Sequence, residues 1–594
     1  MNIDAKVLHE MSNVVRSDAL RAIRRAKSGH VGIVLGAADI ITMIYAVFLK
    51  PRTDRFVLSA GHGSAMLYAT LKLAGYKVGD LDSFRRMGGL PGHPEYGIDG
   101  VAATTGPLGQ GIANAVGMAI AAKHNKTGGI VYCLCSDGDL MEGVAQEAIA
   151  FAGRYKLDNL VLLWDNNGIS IDGAAQTDVD VSMRMRAAGW SVRHANGNDF
   201  NELYDAIRID AIAPRFIKCD TVIGLASSLA NTARAHGFAL SDSEMAGLSE
   251  CLDSRHGRDM WRALAREHGN LPANHYANVP NISLPDAPHF VSTREMSGMC
   301  LNKIMRRGCN AILGSADLGS NTNVHVDSVI DITADDFSGN YINYGVREHA
   351  MAAIMNGLAY AGIRAVGSTF LVFSDYMRGA MRLSALSGLP VVYVLSHDSV
   401  AVGADGPTHQ PVEQIAGLRL IPNMNVFRPC NMTEVLWSWR TALSEVNKPS
   451  CIILSRQKIS RIESVVYGYI DAGGYVIYKS NTRRVRLTLL ATGSEVPLAI
   501  AVARRLGSGV QVTSIPSVSH FRKNDAEYKQ NVLRGHVIAI EAGATSSWFE
   551  FADDVIGIDS FGMSGTGDMV YREYGFDVDE IVAAIKAKMK NVRF

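Results

Sequence analysis

Short apolar runs recur along this chain with helical patterns between them: "GIVYCLC", "LVLLWD", "FIKCDTVI", "NAILGSAD", "LPVVYVLSH", "CIILSR", "RLTLLATGS", "VQVTSIP" and "HVIAIEAG". A strand that is apolar along its whole length has both faces covered, and helices between such strands supply the cover. The runs therefore predict an α/β fold of largely parallel sheets flanked by helices. Two breaks interrupt the rhythm. Residues 270–290, "NLPANHYANVPNISLPDAPHF", are rich in Pro and Asn without a sustained period and read as a linker. A weaker break falls in "SVVYGYIDAGGYV", residues 464–476. A chain of 594 residues exceeds what one core can organise, and the breaks divide it into three α/β domains.

Charge narrows the partners. The 58 basic and 58 acidic side chains cancel, without blocks of one sign, so nothing favours nucleic acid or an anionic membrane surface. Small molecules or other protein chains are the expected partners. The eight cysteines lack paired zinc spacing and sit mostly in apolar surroundings, as reduced core thiols of a cytoplasmic protein do. Val7, Met11, Val14 and Leu20 near the N-terminus have helical spacing with charges between, unlike a signal peptide. No run approaches the roughly eighteen apolar residues of a bilayer span, so no membrane is expected.

Chemistry concentrates at two strand ends. "IVYCLC" runs into "SDGDLMEG", with Asp137, Asp139 and Glu142 close together, and "LVLLWD" stops in "NNGISIDG". In open parallel sheets, ligands bind beyond the carboxyl ends of the strands, where helix N-termini offer unpaired N–H groups to anions. Taken singly, Asp137 and Asp139 read as helix caps and "NNG" as a turn. Asp137 and Asn167, however, bracket one strand–helix–strand unit, and together they suit an oxygen-coordinated cation carrying a diphosphate. In "GPLGQGIAN", Asn114 stands where a dinucleotide fingerprint wants Gly or Ala, so NAD is unsupported.

"SDGDLMEG" followed by "WDNNGISIDG" resembles the thiamine diphosphate signature, and the likeness continues in "SGH", "LSAGHGSAMLYATLKLAGY", "PGHPE", "TTGPLGQGIANAVGMA", "YGVREHAMAAIMNGLA", "STFLVFSDYMR", "GADGPTHQPVEQIAGLRLIPNM", "FRPC", "LSRQ" and "ATGSE". These look like transketolase, in transketolase order, over nearly the whole chain. The resemblance implies a diphosphate-binding domain over residues 1–285 (with the linker from about 270), a pyrimidine-binding domain over 286–465 and a C-terminal transketolase domain over 466–594. The first two would share the thiamine diphosphate-binding fold. The implied activity moves a two-carbon ketol unit from a ketose phosphate such as xylulose 5-phosphate to an aldose phosphate such as ribose 5-phosphate or erythrose 4-phosphate.

Residue by residue, the resemblance makes Glu348 the carboxyl that hydrogen-bonds the cofactor's pyrimidine, and its apolar neighbours predict that it is buried. Asp137, Asn167 and the Ile169 carbonyl would bind Mg²⁺ or Ca²⁺. Gly106, Pro107, Leu108, Gly138, Glu142, Asn167, His62, His236 and Asp317 would contact the cofactor, with Phe370, Phe373 and Tyr376 around its pyrimidine. His30, His93, His236 and His409 match groups on sugar hydroxyls or the reacting carbonyl, a task suited to imidazoles near pH 7. Asp405 would read the adjacent hydroxyl, and Arg294, Ser320, His397 and Arg456 would hold the sugar phosphate. The family further implies a homodimer whose sites each combine one chain's diphosphate domain with its partner's pyrimidine domain, Glu142 of one chain then meeting Glu348 of the other.

Three departures bear on this transfer. Ser136 replaces the first Gly of the diphosphate motif, which is harmless only at φ below zero. "GLASSLANTARAHG", before His236, is shorter than the family's loop, and "ADLGSN" lacks the Pro usual before Ser320. Dihydroxyacetone synthase shares the chemistry with formaldehyde as acceptor. A degenerate binding protein would be expected to lose Glu348, Asp137 or Asn167, and all three are present.

Overall fold

A computed structural model describes residues 3–237, 239–265, 279–462, 467–481 and 484–589. The chain forms two compact units. The first comprises Met1–His275 with Thr333–Ser338 and Ala353–Gly362; the second comprises Tyr276–Ile332, Gly339–Ala352 and Ile363–Phe594. Of the expected linker over 270–290, residues 270–278 lie outside the described residues, and 279–288 contain no helix or strand. Residues 464–466 of the weaker break are likewise outside them.

The first unit is built on a five-stranded parallel sheet in the order Arg55–Leu58, Val131–Ser136, Leu160–Asn166, Arg215–Asp220, Ser191–Asn196. Val131–Ser136 is buried at every position, as a central strand with helices on both faces must be. Helix Gln110–His124 packs closely because a Cβ on Gly117 would run into the Ile354 carbonyl and Gly357. The helix Ala5–Ala26 starts at Asp4, whose side chain accepts from the Lys6 N–H, and buries Leu8, Met11, Val14 and Leu20.

One expectation fails here. Helix Val31–Met43 and the π-helical turn Ile44–Phe48 form an 18-residue stretch long and apolar enough to cross a bilayer, with 83% of it buried inside the fold. Gly36, Asp39 and Thr42 interrupt any continuous apolar run, which hid the segment from a search for one. Every residue from Val31 to Met43 is buried, and the Asp39 charge is met by Arg16 in a two-pronged contact of 2.9 and 2.7 Å. It is the core helix of this unit.

The second unit holds two larger sheets. One is six-stranded and wholly parallel, in the order Tyr341–Asn343, Ala311–Ser315, Arg364–Phe370, Val392–Ser396, Ser450–Leu454, Asn425–Phe427. The other runs Tyr475–Lys479, Val510–Ser514, Leu487–Ala491, His536–Ile540, Asp554–Ile556, with only the first strand antiparallel. Cys251 is exposed and the other seven cysteines are buried, none in a disulfide.

Candidate active site

Ser136 ends its strand at φ −107°, so the missing glycine costs nothing in backbone strain. It caps the helix Asp137–Met141 in a reciprocal box with Asp139. The three acids of this turn then take three different roles. Asp139 is fully buried and ties the neighbouring loops together, accepting from Ser59 Oγ at 2.6 Å and Gly109 N–H at 2.7 Å. Glu142 is exposed and does not line the cavity described below. Asp137 faces that cavity, held by Trp164 Nε1 and the Gly168 N–H, each at 3.2 Å.

The cavity encloses about 360 Å³ at the carboxyl ends of the first unit's strands and brings together His30, His62, His93, His236, Gly106, Leu108, Asp137, Gly138, Asn167 and Ile169. Pro107 is not among its lining residues. Two glycines shape it. A Cβ on Gly138 would lie 2.8 Å from Leu108 Cδ1 and require that side chain to shift, and Gly106 sits at φ +141° against the His93 ring. The shortened loop before His236 ends in a turn, Ala233–His236, and is tied back by Asn231 N–H to the Ile223 carbonyl at 2.9 Å.

Two buried carboxyl groups, Asp137 and Asp165, meet at these strand ends. Burial, then the neighbouring Asp165, pushes the Asp137 carboxyl up to about 7, and burial pushes Asp165 up to about 6. Asn167 donates to Asp165 at 3.1 Å while its carbonyl oxygen accepts from the Ile169 N–H at 3.0 Å. Among the described residues no group of three or more His, Cys, Asp or Glu could hold a metal. One carboxylate, one amide and one carbonyl are an incomplete oxygen set, suited to a cation that arrives with diphosphate oxygens.

The four histidines form the walls. His62 and His236 stack at 5.2 Å between ring centres, and His30 lies 5.3 Å from His62 and 5.7 Å from His236. Burial and then Arg85 lower the His30 pKa to about 4, and burial also lowers those of His62, His93 and His236. All four are neutral at pH 7. Arg85 was not marked by the sequence: it donates to Ser28 Oγ at 2.6 Å and to His30 Nδ1 at 3.3 Å, leaving His30 Nε2 as the N–H. Its place eight residues before His93, in the loop that delivers both, was the available signal.

These depressed values predict acid lability. The unfolded chain takes up protons on these imidazoles below about pH 6.5, where the folded chain refuses them. The contribution of these imidazoles to stability is therefore expected to fall as pH drops from about 6.5 towards about 4, the folded value of His30, against an opposite drift from Asp137 and Asp165, whose raised values add stability as pH falls. Thermal unfolding of the cofactor-free protein across this range checks the expectation. A His30→Asn variant should lose part of the slope, and an unchanged slope would contradict the assignment.

In the second unit, Phe370 ends the strand Arg364–Phe370 and stacks on Phe373 at 5.9 Å with ring planes 16° apart. His397 packs on Phe370 at 3.7 Å between centres, and His409 lies 5.3 Å from Phe373. Tyr376 is 68% exposed. Glu348 opens the helix Glu348–Tyr360, is buried as the sequence predicts, and accepts from Thr369 Oγ1 at 3.1 Å. Asp317, Ser320 and Asp405 are exposed, and Asp317 holds a left-handed φ of +63°.

Arg294, His397 and Arg456 share one positive field. Burial and then Arg294, Arg456 and His409 lower the His397 pKa to about 3, while burial and Arg456 lower that of Arg294. Arg294 donates from Nη1 to the Asn321 carbonyl at 2.6 Å, and its Nε is buried without a partner. An anion is what such a group lacks.

Comparison with known proteins places the chain in a family. Family models match in sequence: the transketolase thiamine diphosphate binding domain over residues 7–257, the transketolase pyrimidine binding domain over 290–461, and the transketolase-like C-terminal domain over 473–577. The transketolase of Geobacillus stearothermophilus is 38% identical over 655 residues, covering 96% of this chain and 98% of its own. That of Bacillus subtilis is 37% identical with the same coverage. Among solved structures, transketolase from Leishmania mexicana superimposes with a TM-score of 0.92 at 34% identity, over 99% of this chain and 98% of that one. Transketolase from Campylobacter jejuni gives 0.87 at 34% identity, over 99% and 100%.

Proposed function

The chain belongs to the transketolase family, and on that premise we propose which residues carry its reaction, the reversible transfer of a two-carbon ketol unit from a ketose phosphate to an aldose phosphate. Thiamine diphosphate, when bound, supplies the electron sink for breaking and making the carbon–carbon bond beside the carbonyl. Asp137, the Asn167 side chain and the Ile169 carbonyl hold Mg²⁺ or Ca²⁺ against the diphosphate. In support, two buried carboxyl groups, Asp137 and Asp165, lie together, and among the described residues no cationic side chain is hydrogen-bonded to either. Gly106, Leu108 and Gly138 let backbone approach the cofactor. Glu348 hydrogen-bonds its pyrimidine ring nitrogen, and the Phe370–Phe373 pair offers it an aromatic face.

Donors enter the cavity among neutral imidazoles. His30, His93 and His236 exchange hydrogen bonds with the sugar hydroxyls and the reacting carbonyl, and His409 with Asp405 reads the adjacent hydroxyl. Arg294, His397, Arg456 and Ser320 bind the terminal phosphate. Donor and acceptor are the phosphorylated sugars of the pentose phosphate pathway, and the chain works as a cytoplasmic homodimer with shared sites, its unpaired thiols suiting a reducing compartment.

The observation that carries this reading is the four-histidine cavity over Asp137 and Asn167 at the strand ends. A coupled assay with xylulose 5-phosphate and ribose 5-phosphate is expected to show turnover that requires both thiamine diphosphate and a divalent cation. No turnover with both present would overturn the reading. The phosphate assignment is tested separately: Arg456→Ala is expected to raise KM for phosphorylated donors by about 1.5–3 kcal/mol in binding terms, with little change for an unphosphorylated ketol donor. Equal losses for the two donors would put Arg456 outside the phosphate site.

A further inference from the structure

Arg428 lies wholly inside the second unit, where its guanidinium meets three carboxylates: Asp398 at 2.8 Å, Glu541 at 3.3 Å, and Glu495. Glu541 also accepts from Arg419 at 2.7 and 2.9 Å. Two buried cations against three buried carboxylates make an expensive way to gain stability, because desolvation offsets most of the attraction. Such a cluster is better suited to fixing the position of what it touches.

What it touches is Asp398, the residue that follows His397 in the chain. His397 holds a left-handed φ of +65°, a conformation that a residue with a Cβ keeps only when its neighbours are anchored. Both following residues are anchored to the C-terminal part of the chain. Asp398 accepts from Arg428 Nη2 at 2.8 Å, and Ser494 Oγ lies 3.2 Å from the same carboxylate. Ser399 Oγ lies 3.0 Å from the Tyr571 hydroxyl, which donates its proton to Glu495 at 2.9 Å, so Ser399 is the donor to Tyr571. Gln457, next to Arg456, places its amide nitrogen 3.5 Å from both Asp398 Oδ1 and the Tyr571 hydroxyl. On the other side Thr293 and Ser455, neighbours of Arg294 and Arg456, hydrogen-bond each other three times, at 2.7, 3.1 and 3.1 Å. Arg294, His397 and Arg456 thus each sit beside a residue that is tied down.

We propose that Tyr571, Glu495 and Arg428 are positioning residues for the sugar phosphate cradle, acting through Asp398 and Ser399 on His397, so that the C-terminal sheet and its helices set affinity for phosphorylated sugars without touching them. The inference rests on the assignment of Arg294, His397 and Arg456 to the phosphate.

Tyr571→Phe tests it, since the variant keeps the ring and its packing on Phe576 at 5.6 Å and removes only the hydroxyl. KM for a phosphorylated ketose donor, and the inhibition constant of inorganic phosphate against it, are expected to rise about three- to tenfold. KM and kcat for an unphosphorylated ketol donor should stay unchanged. Ser399→Ala, which removes the same contact from its other end, should give the same split. The double variant should be no worse than either single one, as for two residues acting through one hydrogen bond. Equal effects on both donors, no effect on either, or fully additive losses would overturn the proposal, provided Arg456→Ala separates the donors. If Arg456→Ala does not separate them, the phosphate assignment fails and this inference fails with it.

Discussion

Asp137→Ala is expected to yield a folded chain that emerges from gel filtration without thiamine diphosphate and without activity. Asp137 is the only charged group in the set of Asp137, Asn167 and Ile169, and losing a charged partner in a desolvated site weakens binding by about 2–5 kcal/mol. The cofactor-free protein should not suffer. With the Asp137 carboxyl pushed up to about 7, the folded state binds this proton more tightly than the unfolded state does. Stability contributed at this position therefore declines as pH rises from the ordinary carboxylate range towards neutrality, and at pH 8 the ionised group is a net burden. The alanine variant should unfold at the same temperature or higher when cofactor-free at that pH, yet lose the stabilisation that cofactor and Mg²⁺ give the wild type. Retained cofactor and full activity after exhaustive dialysis would remove Asp137 from the metal site.

Glu348→Gln should behave in the opposite way: cofactor retained, kcat lowered by about 10²–10⁴. The diphosphate contacts proposed for the first unit are untouched by this change, while the carboxyl proposed to hydrogen-bond the pyrimidine ring nitrogen is gone. The two variants together test the shared site. In a homodimer that combines one chain's diphosphate residues with its partner's pyrimidine residues, mixed Asp137→Ala and Glu348→Ala chains contain one site with both residues intact. Activity approaching half the wild-type value is expected in the heterodimer. If subunit exchange is demonstrated and no activity returns, each site belongs to a single chain.

The strands that sequence reveals are those covered on both faces, such as Val131–Ser136 and Val392–Ser396, where burial forces an unbroken apolar run. Ser191–Asn196 escapes that test because it is an edge strand, with Arg193, His194 and Asn196 exposed. Arg364–Phe370 escapes it for another reason. Every residue is buried, yet Ser368 is polar and satisfied internally, by the Gly314 carbonyl at 3.3 Å and Thr322 at 2.9 Å. The same limit applies to the site. A cluster of acids at a strand tip is visible in sequence, but only folding separates the cavity-facing Asp137 from Asp139, which is consumed by Ser59 and Gly109. Arg85 carries no motif of its own and becomes legible only when the loop brings it to His30.

The core helix has a consequence for synthesis. Val31–Phe48 packs in one cluster with Leu134, Leu163 and Ile217, which belong to strands made much later in translation. Until those strands emerge, a nascent chain presents an 18-residue stretch that a membrane-insertion machinery reads by its apolarity alone. Arg16, already synthesised, is able to pair with Asp39 across the helical hairpin. Arg16→Leu would strip Asp39 of its cation and leave it the amide of Asn198, which is made much later, so the damage would fall on yield and chaperone demand during production before it appeared in the turnover of the finished enzyme.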